Sequence, residues 1–379
     1  MQRALPGADE VPGQPRARPL GASPAFAGQA ALASFLGGAS DLVRRAGGLA
    51  PDTQARLRYH GAKAGPAAVG LAAPDSAHSA ATVSPEPIAL SADEEQLFFK
   101  DNGPVVAHKG SNFALAFLFL PRGKREALGA VYAYCRHIDD IVDSGRLGPA
   151  EARRMLDFWR AEVERLYLGA PTHVLSRDLL PHVQAFRLPK EAFLDMIRGC
   201  AMDLERARYE TPESLESYMQ GVASSVGVLC VEIFGYSHSP PDRMRRFADL
   251  FGYAFQLTNI IRDVGADLEL GRIYIPASDM KASGYTEQAL LRREPNEAFA
   301  RLMGILYQRA KGYYRQARAC ADVRDRPALL PAEIMAHVYE GLLEDIRAGG
   351  FRVLFHRQRL SAWRKTLLAA KAWFYCHGF

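Results

Sequence analysis

Between Val131 and Asp143 the chain reads Val-Tyr-Ala-Tyr-Cys-Arg-His-Ile-Asp-Asp-Ile-Val-Asp, and the spacing of its charges restricts the folds open to it. Coiled as a helix, the stretch places Tyr132, Arg136, Asp139, Asp140 and Asp143 in steps of three and four, so one wall carries three carboxylates. Like charges one turn apart cost roughly 0.2–0.5 kcal/mol even on an exposed helix, and Asp is a poor interior helix former, so propensity does not account for the wall. A divalent cation does. The stretch Gln256-Leu-Thr-Asn-Ile-Ile-Arg-Asp-Val-Gly-Ala-Asp267 repeats the device, with Asn259, Asp263 and Asp267 at i, i+4 and i+8 and Gln256 one turn earlier. Two such faces can close on a shared metal cluster. Magnesium, or manganese in its place, takes a few carboxylates together with waters and phosphate oxygens, so the pair points to a diphosphate ester as substrate.

The remainder of the chain supplies a helical frame for these walls. Amphipathic patterns predict helices near 122–145, 150–169, 173–187, 190–208, 212–236, 241–270, 296–322, 331–348 and 351–375, separated by Pro and Gly. No alternating β-branched run competes, so the fold class is all-α, one large bundle over 91–379 with its site in the interior. Ser91 and Glu94 form a capping box at its start, and Lys109-Gly-Ser-Asn-Phe113 is a polar turn leading into an apolar helix stopped by Pro121. Residues 1–90 are rich in Ala, Gly and Pro and hold only three aromatics, too few for a core. A disordered extension, an organelle transit peptide and translation from a mis-assigned start are the readings left open for them.

Several function classes are excluded. Net charge is +5, but acids and bases alternate through the middle of the chain, which argues against nucleic acid as a partner. Cys135, Cys200, Cys230, Cys320 and Cys376 are odd in number and lack a CxxC, against both a disulfide framework and a zinc site, so a reducing cytoplasm is expected. No apolar run reaches the roughly 18 residues of a membrane span. From Phe351 to Phe379 there are six Lys/Arg and no acid, with Phe351, Leu354, Phe355, Leu360, Trp363 and Leu367 near helical spacing. This segment reads either as a helix lying on the anionic inner face of the membrane or as a solvated basic face. Oligomeric state is not legible.

A metal-held diphosphate inside an apolar helical cavity suits ionisation of an allylic diphosphate, because apolar walls keep water from the carbocation. Phe193, Met196, Ile197, Cys200 and Leu204, and Val222, Val226, Leu229, Val231 and Phe234, recur at helical spacing and are either cavity lining or ordinary core. Arg136 and Arg262 adjoin the acidic motifs as phosphate donors, or pair with the neighbouring Asp. Tyr218 precedes the small-residue helix Gly221–Gly227, and Gly271-Arg-Ile-Tyr-Ile-Pro276 leaves the helical pattern as a flap over the site mouth.

The motifs at 134–143 and 256–267, followed by Gly271–Pro276, resemble the squalene/phytoene synthases, which join two prenyl diphosphates head to head; the resemblance covers about residues 105–360. It implies the class I isoprenoid synthase bundle. It implies that Asp139, Asp140 and Asp143, with Asn259, Asp263 and Asp267, hold the metal ions, and that Arg136, Gln256, Asn259, Arg262 and Tyr132 lie near the diphosphates. Tyr218 falls near the reacting carbons, so Tyr218, Asp139, Asp143 and Asp263 are the expected catalytic residues. Ser111 and Phe113 match an N-terminal substrate segment, with Asn112 where Ser is common, while Met219 and Ser224 stand where Cys and Gly are common. Val231-Glu-Ile-Phe-Gly-Tyr236 looks most like bacterial presqualene diphosphate synthases of the hopanoid route, so the first expectation is presqualene diphosphate from two farnesyl diphosphates, and the second is 15-cis-phytoene from two geranylgeranyl diphosphates. Continuation to squalene would need NADPH, for which there is no Gly-rich fingerprint, although the family binds it without one. Two other classes remain: a class I terpene cyclase, which Asn259, Asp263 and Asp267 also fit by spacing, and a non-enzymatic assembly factor, which the five retained acids oppose.

Because the composition of residues 1–90 cannot offset the entropy of ordering them, their deletion should leave melting temperature and turnover nearly unchanged. A large fall in melting temperature on calorimetry would show that this segment packs.

Overall fold

The computed structural model describes residues 120–205 and 208–378, and over these the chain forms twelve α-helices. They are α1 Arg122–Asp143, α2 Pro149–Tyr167, α3 Val174–Phe186, α4 Lys190–Glu205, α5 Pro212–Met219, α6 Ser225–Phe234, α7 Pro241–Glu269, α8 Ala277–Ser283, α9 Glu287–Leu291, α10 Glu297–Cys320, α11 Leu330–Ala348 and α12 Ala362–His377. No strand occurs among the described residues. The extension 1–90, the onset at Ser91, Ser111 and Phe113 lie outside them.

Helix starts follow local chemistry. Pro149, Pro212 and Pro241 open α2, α5 and α7, where a missing N–H costs nothing. Thr211, Thr286, Asn296 and Ser361 each accept an N–H from the first turn of α5, α9, α10 and α12. α7, 29 residues long, is the axis against which α6, α10 and α11 pack. Phe247, Phe251 and Phe255 of α7 meet Tyr314 of α10 and Tyr339 of α11 in one aromatic core.

Three boundaries differ from expectation. The single helix expected over 212–236 is broken by a π-turn at Gln220–Ser224, directly after Tyr218. Here Gly199 of α4 and Gly221 touch backbone to backbone: a Cβ on Gly221 would lie 2.5 Å from the Cα of Gly199. The helix expected from 351 begins only at Ala362, because Gly350 and Phe351 both adopt left-handed φ and turn the chain into a 3-10 turn at Arg352–Leu354. Short helices α8 and α9 were hidden between the Pro276 and Pro295 breaks. The segment Pro212–Phe234 is long and apolar enough for a bilayer by composition, yet it is mostly buried in the bundle.

The α1–α4 end of the bundle holds a buried pair of imidazoles. His137 and His173 lie 4.9 and 4.7 Å from the Trp159 ring, which itself packs on Tyr134. Nδ1 of His173 accepts the Leu175 N–H that starts α3, a role only the neutral ring can play. Burial, with His173 next, holds His137 down to about 3, and burial holds His173 down to about 4. The unfolded chain takes up these protons near the ordinary 6.5, so it binds more protons than the fold below that pH, and stability falls as pH drops from there toward 4. Melting temperature followed through Trp159 fluorescence should show this slope, and His137→Gln/His173→Asn should flatten it; an unchanged slope in the double variant refutes the assignment.

Candidate active site

The first acidic wall is the last two turns of α1. Asp139 and Asp143 are buried and Asp140 is half-buried. Arg136 reaches Asp140 through Nε at 3.0 Å and Nη2 at 2.5 Å, and Asp139 through Nη1 at 3.6 Å. Burial first, and then the neighbouring Asp143 charge, pushes Asp139 well above the carboxylate range, and burial also raises Asp140. Tyr132 is buried one turn before Arg136. Asp143 receives Nη2 of Arg272 on Oδ1 at 3.4 Å, while its Oδ2 is buried without a hydrogen bond.

The second wall lies on α7, where Gln256, Asn259, Arg262, Asp263 and Asp267 are all buried. Asp263 sits between two guanidinium forks. Arg262 donates to it at 2.8 and 2.5 Å, and Arg357 at 2.8 and 3.2 Å. Arg357 reaches it because Gly265 lets the 352–354 turn press onto α7: a Cβ there would lie 2.3 Å from the Leu354 carbonyl oxygen. Burial, then the Asp263 charge, pushes Asp267 well above its ordinary range. Oδ1 of Asp267 and Oδ1 of Asn259 are buried without a hydrogen bond, and Nδ2 of Asn259 donates to Gln256 at 3.4 Å.

Between the walls stand residues that the sequence reading did not single out. Asp203, on α4 one turn beyond Gly199, accepts the hydroxyl of Tyr218 at 3.1 Å and that of Tyr274 at 2.9 Å. The rings of Tyr218 and Tyr274 stack with centroids 5.2 Å apart. Burial raises Asp203 to about 7 against the opposing charge of Arg272. The Arg272 guanidinium also acts on Asp143 and Asp267, so it links the two walls. The expected flap is thus a buried strap, with Ile273, Tyr274 and Ile275 inside the fold. Tyr339, whose hydroxyl lies beside Asn259 and Arg262, completes this group with Arg357.

An apolar cavity, open to solvent, runs from Gln256, Asn259 and Tyr339 along α7 to Phe247. Val222, Val226, Val231 and Phe234 line it as one of the two readings held; Leu229 does not. Phe193, Met196, Ile197 and Cys200 pack in the core instead. Asp203 was hidden in that same largely apolar stretch, which also holds Asp195, and Arg357 among six cations of the last segment; an acid at the apolar spacing of its neighbours is the signal that would have marked the first. Arg136 and Arg262 both adopt the pairing with adjacent Asp.

Among the described residues no three His, Cys, Asp or Glu side chains converge on a single point. The donor set nevertheless fits a hard cation: carboxylate and amide oxygens left unbonded on both walls, and carboxyls raised by burial and then by a neighbouring carboxylate, are what such a charge would relieve.

Asp203→Asn keeps the shape of the side chain but leaves one acceptor for two tyrosine hydroxyls. Turnover should fall about 10- to 100-fold with KM little changed, measured by steady-state kinetics. A loss confined to KM would assign Asp203 to substrate binding instead.

Residues 106–364 match the squalene/phytoene synthase family. The chain is 34% identical over 278 residues to the 15-cis-phytoene synthase of Synechocystis sp., covering 71% of this chain and 82% of that one, and phytoene synthases of Thermus thermophilus and of plants also match. In structure it is similar to a dehydrosqualene synthase solved with ligand, at TM-score 0.62, 27% identity and coverage of 71% and 92%, and to squalene synthase HpnC from Alicyclobacillus acidocaldarius, at 0.59, 30%, 63% and 89%. With its all-α class I isoprenoid synthase fold, its paired acidic walls and these likenesses, the chain belongs to the squalene/phytoene synthase family of prenyltransferases.

Proposed function

We propose that the protein condenses two geranylgeranyl diphosphates to 15-cis-phytoene. The observation that carries the chemistry is the joining of a long apolar cavity to the second acidic wall at Gln256 and Asn259, with Arg272 linking that wall to the first. From Asn259 to Phe247 the lining follows α7 for about 18 Å, a trough in which a prenyl tail can lie. The choice of the C20 substrate rests on the likeness to phytoene synthases, which favours the second expected product over presqualene diphosphate. The likeness to dehydrosqualene and squalene synthases keeps the C15 condensation as the second reading.

Asp139, Asp140, Asp143, Asn259, Asp263 and Asp267 would hold magnesium, which supplies charge neutralisation for the departing diphosphate. Arg136, Arg262, Arg272 and Arg357 exchange their carboxylates for diphosphate oxygens as substrate enters. One substrate loses diphosphate, and the 2,3 double bond of the other attacks the resulting allylic cation at C1. Loss of one proton closes a cyclopropane that keeps the second diphosphate. In this reading the Tyr218 hydroxyl, which donates to Asp203 at 3.1 Å, takes that proton while passing its own to Asp203; the released diphosphate is the competing acceptor. Departure of the second diphosphate and loss of another proton give phytoene with no hydride donor, whereas squalene would require one. Phe251 and Phe255, stacked at 5.5 Å, and Tyr339 wall the cavity against water. We further propose that the reaction runs at the cytoplasmic face of the membrane, where the product dissolves.

Purified enzyme offered C15 and C20 diphosphates separately with Mg²⁺, with and without NADPH, should give phytoene from C20 alone and without NADPH by mass spectrometry. Presqualene diphosphate from C15 with no C20 turnover would overturn the substrate, and a cyclised product from a single prenyl diphosphate would make the protein a terpene cyclase. Asp143→Asn and Asp263→Asn should each lose at least about 100-fold in turnover with helical circular dichroism retained; near-normal turnover in both would remove the metal argument.

A further inference from the structure

The outer face of α12 is apolar where a surface helix is ordinarily polar. Its inner side, Ala369, Ala372 and Cys376, packs on α11. On the opposite side Trp363, Leu367, Ala370 and Phe374 follow one another at i, i+4, i+7 and i+11, a single stripe along the helix. Trp363 is 75% exposed, Leu367 57% and Phe374 50%. Trp373 flanks the stripe with its ring 5.3 Å from Phe374, and Phe355, 59% exposed, stands on the chain leading into it. Phe355, Trp363 and Leu367 are among the residues expected from the sequence, whereas Leu354 and Leu360 of that set are buried. Leu367, Ala370 and Phe374 also lie beyond residue 364, where the family match ends.

The charge around the stripe is of one sign. Arg364 and Lys371 sit about 80–100° round the helix from Trp363, bordering the stripe on one side. The segment 351–378 carries six Lys/Arg and no acid; Arg357 and Arg364 are paired with Asp263 and Asp345, which leaves the surroundings net basic.

We propose that this stripe seats α12 in the headgroup region of an anionic lipid bilayer, the helix lying in the plane of the membrane. Aromatic and aliphatic side chains at the acyl boundary with Lys and Arg at the phosphates are the side-chain order that such a surface selects. From Trp363 to Phe374 the stripe is about 17 Å long, too short to span. A second copy is the poorer occupant, because a two-fold contact would bring this basic border against itself. The purpose rests on the prenyltransferase reading, since docking here would hold the chain that carries Arg357 to Asp263 at the lipid surface; the physical basis does not.

The test is co-sedimentation of the full chain with phosphatidylcholine vesicles and with mixed phosphatidylglycerol/phosphatidylcholine vesicles, which needs no turnover and so fails independently of the assigned reaction. Binding to the anionic vesicles, weakened by salt and by Lys371→Glu, is expected. Trp363→Ser/Leu367→Ser/Phe374→Ser should reduce partitioning at least about tenfold while turnover on detergent-dispersed substrate is kept. Unchanged partitioning in the triple variant, or equal binding to neutral vesicles, would overturn the proposal. So would a dimer that the triple variant dissolves, by light scattering, or binding that appears only once residues 1–119 are deleted; these would assign the stripe to a second copy and to that segment.

Discussion

The structure depends on keeping carboxylates buried without neutralising them permanently. Asp139, Asp143, Asp263 and Asp267 are all inside the bundle, and withdrawing each from water costs several kcal/mol unless charge or hydrogen bonds offset it. Arg136, Arg262, Arg272 and Arg357 provide that offset, from four different stretches of chain. The compensation is incomplete, as the oxygens left unbonded on Asp143 and Asp267 and the raised carboxyl of Asp139 show. In the function proposed, incomplete compensation would keep the walls receptive: a fully satisfied ion-pair network would have no reason to admit cations or diphosphates.

Helix packing serves this end. The Gly199–Gly221 contact draws α4 against the π-turn and brings Asp203 to Tyr218, while Gly265 admits the turn that delivers Arg357. In both places a backbone without side chains sets the distance between polar groups, 15 residues apart in the first and 94 in the second. The additional residue in the π-turn rotates Tyr218 relative to the cavity-lining face of α6, so one segment serves both the tyrosine stack and the apolar trough.

The frame was largely legible because its signals are local. Proline and glycine breaks placed most helix ends within a few residues, and the acidic walls announced themselves by three- and four-residue spacing. What lay hidden depends on partners distant in sequence. Nothing near Asp203 says that two tyrosines, one of them 71 residues away, will donate to it. Arg357 read as one cation of a basic tail, yet it lies on Asp263, 94 residues earlier. The late start of α12 is a case of local preference losing to two successive left-handed residues, which the helical spacing of Phe351 to Leu367 concealed.

The seating of Leu354 against Gly265 has a consequence for how the chain can be cut and rejoined. Residues 352–361 look like a linker between two helices, a natural place for a tag, an insertion or new termini. Because Arg357 departs from that linker into the second acidic wall, slack introduced there would be felt as a change in charge at Asp263. A permutant opened in this loop would fold from intact helices and still lose one of the two guanidiniums that balance Asp263, whereas the turn at Arg292–Glu294, where Arg293 donates to the Gly265 carbonyl, places no side chain on that residue.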